Sequence, residues 1–466
     1  MRTMAEAVLG RVIGHVATLG EQPAGSPAQD GSELCRRLRE GPPEAGTELG
    51  ELLAPLFEEW IPCSFNTPGP GYLAFIPGGG LFPAALGDFV AAAVNRYTGV
   101  WRLAPALVQL EANVLDWFRQ WLQMPPTTRG LLTSGGSLAT FSAIVTARER
   151  LLGSRLRDGV MYCSTQAHHS IAKAARLAGI LADRQRTIEA DGRFRLCPGE
   201  LEAAIRRDRA AGLRPFLVVS SAGTVTTGAI DPLDVVAEIC AREGLWHHVD
   251  GAYGGFFFLC PELRPALRGL SRADSVVLDP HKGLFLPYGT GALLVRDGEA
   301  LRQAHAASAG YLPALPEGEM YDPSQYGPEL SRPYRGLGVW LPLKLFGAAR
   351  FRAALSEKRE LALLAAERLA AVPGIEIVAP PELSLFAFQL GRPGASPQER
   401  NAATRELIDR VVARGRIMLS GAMVGQKFLG RVCVLSFRTR RDRVEQGLED
   451  LREETAEIVG RPGPLS

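Results

Sequence analysis

No two of the seven cysteines form a C-x-x-C pair, and their number is odd: Cys35, Cys63, Cys163, Cys197, Cys240, Cys260 and Cys433 are scattered along the chain. That spacing argues against a zinc knuckle or redox dithiol and predicts free thiols of the cytosolic kind. Net charge is nearly absent as well, with 52 Lys and Arg against 50 Asp and Glu. Without a basic run the chain lacks the electrostatic footprint of a nucleic-acid or acidic-membrane binder, so small molecules are the expected partners. Long apolar runs are missing too. The most apolar stretch, Leu81 to Val94, contains Pro83 and Asp88 and falls short of the roughly 20 residues that span a bilayer. The N-terminus, MRTMAEAVLGRVIGHVATLG, sets Arg11 and His15 among its apolar residues, which reads as an amphipathic helix rather than a signal peptide. Together these absences predict a cytoplasmic protein. What remains is an ordinary globular composition, 46% hydrophobic over 466 residues, with length for two or three domains and enzyme as the default class.

The first 80 residues mix helical pattern with turn-rich composition, including NTPGPGYLAFIPGGG at 66–80. Such a segment is expected to drape over something else rather than fold alone. Leu107, Leu110, Val114, Phe118 and Leu122 then recur at helical spacing and predict one helix over 106–123. After it, short apolar runs alternate with helical segments: GLLTSG, GVMYCS, PFLVVSS and LWHHVD, followed by SVVLDP. That alternation predicts an α/β fold with a mainly parallel sheet, in which ligands bind at the carboxyl ends of the strands. The residues standing there are Ser134 to Ser137, His168, Thr224, Asp250, and His281 with Lys282. From about residue 346 the pattern changes to a long helix at 348–371 and the runs IEIVA, LFAFQL and VCVLSF, which predict a smaller C-terminal α+β domain.

Three of those strand ends carry chemistry. The segment LLTSGGSLATF brings small residues to a helix start, where backbone N–H groups and the helix dipole favour a phosphate. It also reads as a near-miss of a G-x-S-x-G nucleophile elbow on Ser137, or as a plain tight turn, and the loop alone leaves all three open. Asp250 shares a strand face with His248, but no third ligand stands at a suitable spacing, so no metal is expected. A salt-bridged structural aspartate is its bland alternative. Lys282, in otherwise apolar surroundings, can have its amine made nucleophilic, against the ordinary reading of a solvated lysine. The joint pattern is what matters: a phosphate-like loop, a carboxylate and a lysine are the parts that hold pyridoxal phosphate. His168 can lie flat against such a ring, although a histidine at a helix start is more often a simple cap.

The segments TSGGS, CSTQAHHS, SAGTVTTGAIDPL, HVDGAYGG and ADSVVLDPHKG, in this order along the chain, resemble the group II pyridoxal-phosphate-dependent amino-acid decarboxylases, which include aromatic-L-amino-acid and glutamate decarboxylases. The resemblance runs from about Pro70 to the C-terminus. It implies the aspartate-aminotransferase-like fold type I, with a seven-stranded, mainly parallel sheet in a large cofactor domain at 81–345. A small α+β domain at 346–466 and an N-terminal helical dimerisation segment at 1–80 complete the expected homodimer, whose sites lie at the subunit interface. Carried over by position, Lys282 is the Schiff-base lysine, Asp250 the partner of the pyridinium nitrogen, Ala252 the residue under the ring and His168 the one above it. Gly136 and Ser137 match the phosphate loop, with His281 nearby, and Thr224 matches the cofactor's polar edge. Arg431, read as opening the strand RVCVLSF, matches the arginine for the substrate carboxylate. Tyr321, eleven residues before Arg332, matches the mobile-loop tyrosine that returns a proton, here expected in the partner subunit's active site, with Tyr326 as the next candidate.

Substrate choice rests on the pocket. Tyr72, Phe75 and Trp101 supply aromatic surface and Leu73 and Ala74 apolar surface, which favours an aromatic substrate; Arg102, next to Trp101, can instead pair an acidic side chain. The expected reaction is decarboxylation of an L-amino acid to its amine. Acidic substrates, aldehyde synthesis or a lyase on the same scaffold are the alternatives, with a hydrolase using Ser137 far behind.

Overall fold

The computed structural model describes residues 1–25, 31–307 and 320–460. Two compact units emerge: Met1–Gly79, Glu360–Pro380 and Phe386–Ser466 form one, and Gly80–Arg359 with Pro381–Leu385 the other. The N-terminal 79 residues thus cluster with the C-terminal segment. The units part after Arg359, inside the helical stretch Gly336–Ala370; what changes near residue 346 is the backbone, which leaves helical geometry at Gly347 (φ 70°, ψ 155°). Only glycine enters such a region at little cost.

The larger unit is built on a seven-stranded sheet of β1 (Arg129–Thr133), β2 (Gly159–Ser164), β3 (Gln185–Ile188), β4 (Arg214–Ser221), β5 (Trp246–Gly251), β6 (Ser275–Leu278) and β7 (Gly291–Val295). Their order is β1-β7-β6-β5-β4-β2-β3, with β7 antiparallel to both of its neighbours and the other pairs parallel. The apolar runs read from the sequence are the five strands β1, β2, β4, β5 and β6. Two strands escaped that pattern for physical reasons. β3 is a polar edge strand, QRTI, and β7 returns from β6 by a short link, so no crossover helix announces it. The helix Gly136–Leu151 buries Ala139, Ala143 and Ala147 on one face, with Ile144 beside them. Small side chains at that spacing let the helix lie close on the sheet and fix where its first turn stands. The predicted helix at 106–123 is Pro105–Trp121, which buries Val108, Val114 and Phe118.

The smaller unit holds a four-stranded sheet of β8 (Ile375–Ala379), β9 (Leu385–Leu390), β10 (Ser420–Val424) and β11 (Lys427–Cys433), in the order β10-β11-β9-β8. The helices Pro397–Ala413 and Arg441–Gly460 belong to it. Here the sequence reading is corrected: Arg431 lies late in β11, and 434–437 follow the strand instead of forming it. Gly430 disguised the true strand. It faces Gly421 across the pair, and a side chain at either would run into the rings of Phe388 or Phe428, so glycines replace the β-branched residues that usually mark a strand. All seven cysteines are free thiols. Among the described residues no helix is long and apolar enough to cross a membrane.

Candidate active site

The carboxyl ends of β1, β2, β4, β5 and β6 deliver their loops to one cavity of about 250 Å³ in the larger unit. Ser134 to Ser137 follow β1, His168 follows β2, Gly223 and Thr224 follow β4, Asp250 and Ala252 stand at the end of β5, and Asp279, His281 and Lys282 follow β6. Nine positions named from the sequence, Gly136, Ser137, His168, Thr224, Asp250, Ala252, His281, Lys282 and the adjoining Ser134, therefore share one wall-to-wall site.

Pro280 starts a one-turn helix, Pro280–Gly283, which puts Lys282 on the same side as Asp279 three residues earlier. Lys282 Nζ lies 2.8 Å from Asp279 Oδ2. His281 donates from Nδ1 to the carbonyl of Thr290 at 2.6 Å, leaving Nε2 3.6 Å from the same Asp279 oxygen. Burial lowers the pKa of His281 and holds it neutral. Asp250 accepts the N–H of Ala252 at 3.1 Å. Burial raises the Asp250 pKa, and the nearby Lys282 ammonium opposes that rise. His168 caps the helix His169–Leu177 by accepting the Ser170 N–H, with Ser170 Oγ 2.7 Å from its Nδ1. Burial lowers its pKa as well. Its ring centroid lies 4.1 Å from that of His169. Thr224 is buried, with its hydroxyl 2.8 Å from that of Thr227.

Alternatives for these residues lose ground. Among the described residues no histidine hydrogen-bonds Ser137, because His168 and His281 direct their Nδ1 atoms to Ser170 and Thr290, so the nucleophile elbow lacks a base. His248 is fully buried with Nδ1 2.8 Å from Ser275 Oγ, apart from the cavity wall. Among the described residues no cluster of three His, Cys, Asp or Glu is arranged for a metal.

Other expected residues stand elsewhere. Trp101 and Arg102 form a short turn outside the cavity wall, tied by the Trp101 N–H to Asp322 Oδ1 at 3.2 Å; Arg102 is exposed. Tyr321 also stands outside this chain's cavity wall. Its ring stacks on Tyr326 at 5.2 Å, and its hydroxyl is buried without a hydrogen-bond partner. Burial, and after it the Glu111 carboxylate, push the phenol well above its ordinary pKa. Arg332, eleven residues on, pairs with buried Glu111. The loop section 308–319 lies outside the described residues.

Tyr72, Phe75 and Arg431 belong to the smaller unit. Tyr72 and Phe75 stack with centroids 6.4 Å apart, Tyr72 buried and Phe75 exposed. Phe75 takes a left-handed backbone (φ 53°), a strained state for a bulky residue. Its N–H donates to Ser420 Oγ at 3.3 Å, and its carbonyl accepts from Arg431 Nη2 at 3.5 Å. Arg431, buried, also donates to Ser420 Oγ at 2.8 Å. In this structure it braces Phe75.

Sequence reasoning missed Asp279. The signal was present in DPHK: an acid three residues before the lysine on one helical turn.

The cavity fits pyridoxal phosphate on its own chemistry. A helix start opens onto it, a lysine and an aspartate stand at neighbouring strand ends, and the buried Asp279 Oδ1 waits without a hydrogen-bond partner. Gly136 forms a cradle that a side chain would fill, since a Cβ there would stand 3.1 Å from Asp279 Oδ2 and 3.3 Å from the Ala252 Cβ.

Comparison with known proteins agrees. Residues 59–391 match the pyridoxal-dependent decarboxylase conserved domain. The chain is 32% identical over 462 residues to an aromatic-L-amino-acid decarboxylase of Bacillus atrophaeus, covering 98% of this chain and 96% of that protein. It is 29% identical to a 4-hydroxyphenylacetaldehyde synthase of Rhodiola rosea, covering 98% and 95%. A crystal structure of Oryza sativa TDC with PLP and tryptamine superimposes with a TM-score of 0.94 at 27% identity, covering 98% of each chain. On the domain match and these relatives, the chain belongs to the pyridoxal-dependent decarboxylase family.

Proposed function

We propose that this decarboxylase removes the carboxylate of an aromatic L-amino acid, giving carbon dioxide and the corresponding amine, and that it works as a homodimer in the cytoplasm. The observation that carries the reading is the convergence of Lys282, Asp250 and the Gly136–Ser137 helix start on one cavity, in a chain whose relatives act on aromatic amino acids. Bound pyridoxal phosphate supplies an electron sink for the pair left when carbon dioxide departs.

The chain's own groups then have defined tasks. The Lys282 amine is the covalent anchor. Asp250, a carboxylate at a strand end, holds a proton at the ring nitrogen by its negative charge. His168, kept neutral by burial, offers a flat face without adding a cation. The first turn from Gly136 and Ser137 directs N–H groups and its dipole at the phosphate, Ala252 leaves room beneath the ring, and Thr224 offers a hydroxyl to its polar edge. Tyr72 and Phe75 are assigned to the aromatic side chain of the substrate. Trp101, Arg102 and Arg431 remain assigned to substrate binding, Arg431 through its hold on Phe75.

Two apolar surfaces support the dimer. The helix Arg2–Ala17 buries none of its residues and exposes Met4 and Ile13, and the helix Phe82–Val94 exposes Phe89, Val90 and Val94. Such surfaces call for a partner. Light scattering of the purified protein checks the dimer.

The test of substrate is carbon dioxide release across the common amino acids, with amine and aldehyde measured together. Tryptophan, tyrosine or phenylalanine should give the highest kcat/KM. A higher value for glutamate or aspartate overturns the aromatic reading and points to Arg102. Aldehyde in place of amine would set the chain with the aldehyde synthases.

A further inference from the structure

Asp279 has no part in the roles assigned above, yet it is the most confined charge in the cavity, with a side chain only 3% exposed. Its Oδ2 contacts Lys282 Nζ at 2.8 Å, while Oδ1 is buried and has no hydrogen-bond partner. Both oxygens border the space beside Gly136, the first residue of the helix Gly136–Leu151: a Cβ built there would meet Oδ2 at 3.1 Å and Oδ1 at 3.3 Å. A carboxylate with a spare oxygen is therefore aimed at the helix start that attracts the cofactor's phosphate.

The charges around it do not balance once that phosphate arrives. The groups facing Asp279 are Lys282 and His281 from its own turn, Asp250 from β5 and His168 from the loop after β2. Among the described residues lining the cavity, Lys282 is the one Lys or Arg. Both histidines are held toward their neutral forms by burial. A phosphate monoester, with a second pKa of about 6, is mostly dianionic above neutrality. It would meet Asp279 as a like charge just when Lys282, committed to the cofactor's aldehyde, turns away from Oδ2. Two anions in contact in a buried site favour protonation of one.

We propose that Asp279 takes up a proton from solvent when the cofactor binds and, as a neutral carboxyl, donates that O–H to the phosphate. At Asp279 the carboxylate gains one proton, the phosphate stays dianionic, and no electron moves; a proton gained at the ring nitrogen beside Asp250 is common to wild type and Asp279→Asn and cancels in their difference. Condensation of the Lys282 ammonium with the cofactor's aldehyde would release one water, made of the aldehyde oxygen and two of the ammonium protons, and would leave the nitrogen cationic, so it neither supplies nor consumes the proton. Asp279 is on this account a cofactor-binding residue, and loading is linked to pH. The inference rests on the reading that the phosphate sits at the Gly136 helix start.

The experiment is calorimetric titration of cofactor-free enzyme with pyridoxal 5′-phosphate at pH 8, in buffers of different ionisation enthalpy, which counts protons taken up per site. Wild type should take up about one proton more than Asp279→Asn, which carries a neutral donor already. Its Kd, relative to that of Asp279→Asn, should rise by up to tenfold per pH unit between pH 7 and 9. Equal proton uptake in the two proteins overturns the proposal. Pyridoxal, which has no phosphate, tests the underlying reading separately: if it binds as tightly as pyridoxal 5′-phosphate, the phosphate seat fails and the proposal with it. Should Asp279→Asn not fold, infrared difference spectra of wild type decide. A protonated-carboxyl band that shifts with ¹³C-aspartate must appear on cofactor addition, and its absence overturns the assignment.

Discussion

Glu111 Oε1 stands 2.7 Å from Arg332 Nη1, and the two side chains are 0% and 3% exposed. This ion pair fastens the helix Pro105–Trp121 to the segment that leads into the helical stretch Gly336–Ala370. Removing one partner leaves the other as a buried, unpaired charge, which costs about 3–5 kcal/mol. Glu111→Ala should therefore lower the urea midpoint by a matching amount, while a loss below about 1 kcal/mol would mean that water reaches Arg332.

Tyr321 sits in the same neighbourhood with its hydroxyl unpartnered. Deleting a buried, unsatisfied hydroxyl is neutral or stabilising by about 1 kcal/mol. Tyr321→Phe should keep or raise Tm and change the rate of amine formation less than about threefold. A loss near the 10²-fold expected for a removed general acid would assign the proton-donor role to Tyr321. Recovery of activity on mixing Tyr321→Phe with Lys282→Ala subunits would then assign it to the partner subunit's cavity.

Lys282→Ala should abolish borohydride fixation of the cofactor to the protein, with phosphate-held cofactor still removable by dialysis. Mass spectrometry of the peptide spanning residue 282 reads the result. A reduced adduct surviving on that peptide would show that another amine is the anchor.

Asp250→Asn preserves shape and removes charge. Loss of one group that stabilises developing charge costs about 10²–10³ in kcat, so turnover should fall by that factor while cofactor affinity changes much less. Steady-state kinetics with fluorescence titration of the cofactor separates the two. Turnover near that of wild type would make Asp250 a structural residue.

His248 behind the site gives a pH signature. Burial lowers its pKa to about 3, against 6.5 unfolded. Its neutral form contributes fully above pH 6.5, and that contribution fades as the pH falls toward 3, because the unfolded chain gains the proton first. The destabilisation caused by His248→Asn should accordingly shrink by about 1.4 kcal/mol per pH unit below 6.5. Urea unfolding at pH 7, 6 and 5 measures it; a constant difference would mean that His248 titrates normally.

The sequence displayed whatever depends on period and on strand ends. Apolar runs such as SVVLDP mark β6 because parallel strands buried on both faces are apolar throughout, and Lys282 and Asp250 stand where such strands end. It hid what depends on pairing at a distance. Nothing in LSRPYRGLG says that Arg332 has its partner at Glu111. Gly430 hid β11 because glycine there answers two aromatic rings rather than strand propensity. Nor does the sequence say that Arg431 donates to Ser420 Oγ and to the Phe75 carbonyl.

The antiparallel course of β7 has a consequence for length. Thr133 at the end of β1 lies opposite Gly291 at the start of β7, and the carbonyl of Thr290 holds His281 beside Lys282. The link 283–290 is thus a ruler between the anchoring amine and the loop that begins at Ser134, pinned at both ends by hydrogen bonds. One residue added to or removed from it displaces one half of the cofactor seat against the other. Comparable changes beyond the edge strand β3 leave that spacing intact, so insertions in this fold are tolerated according to which strand they follow.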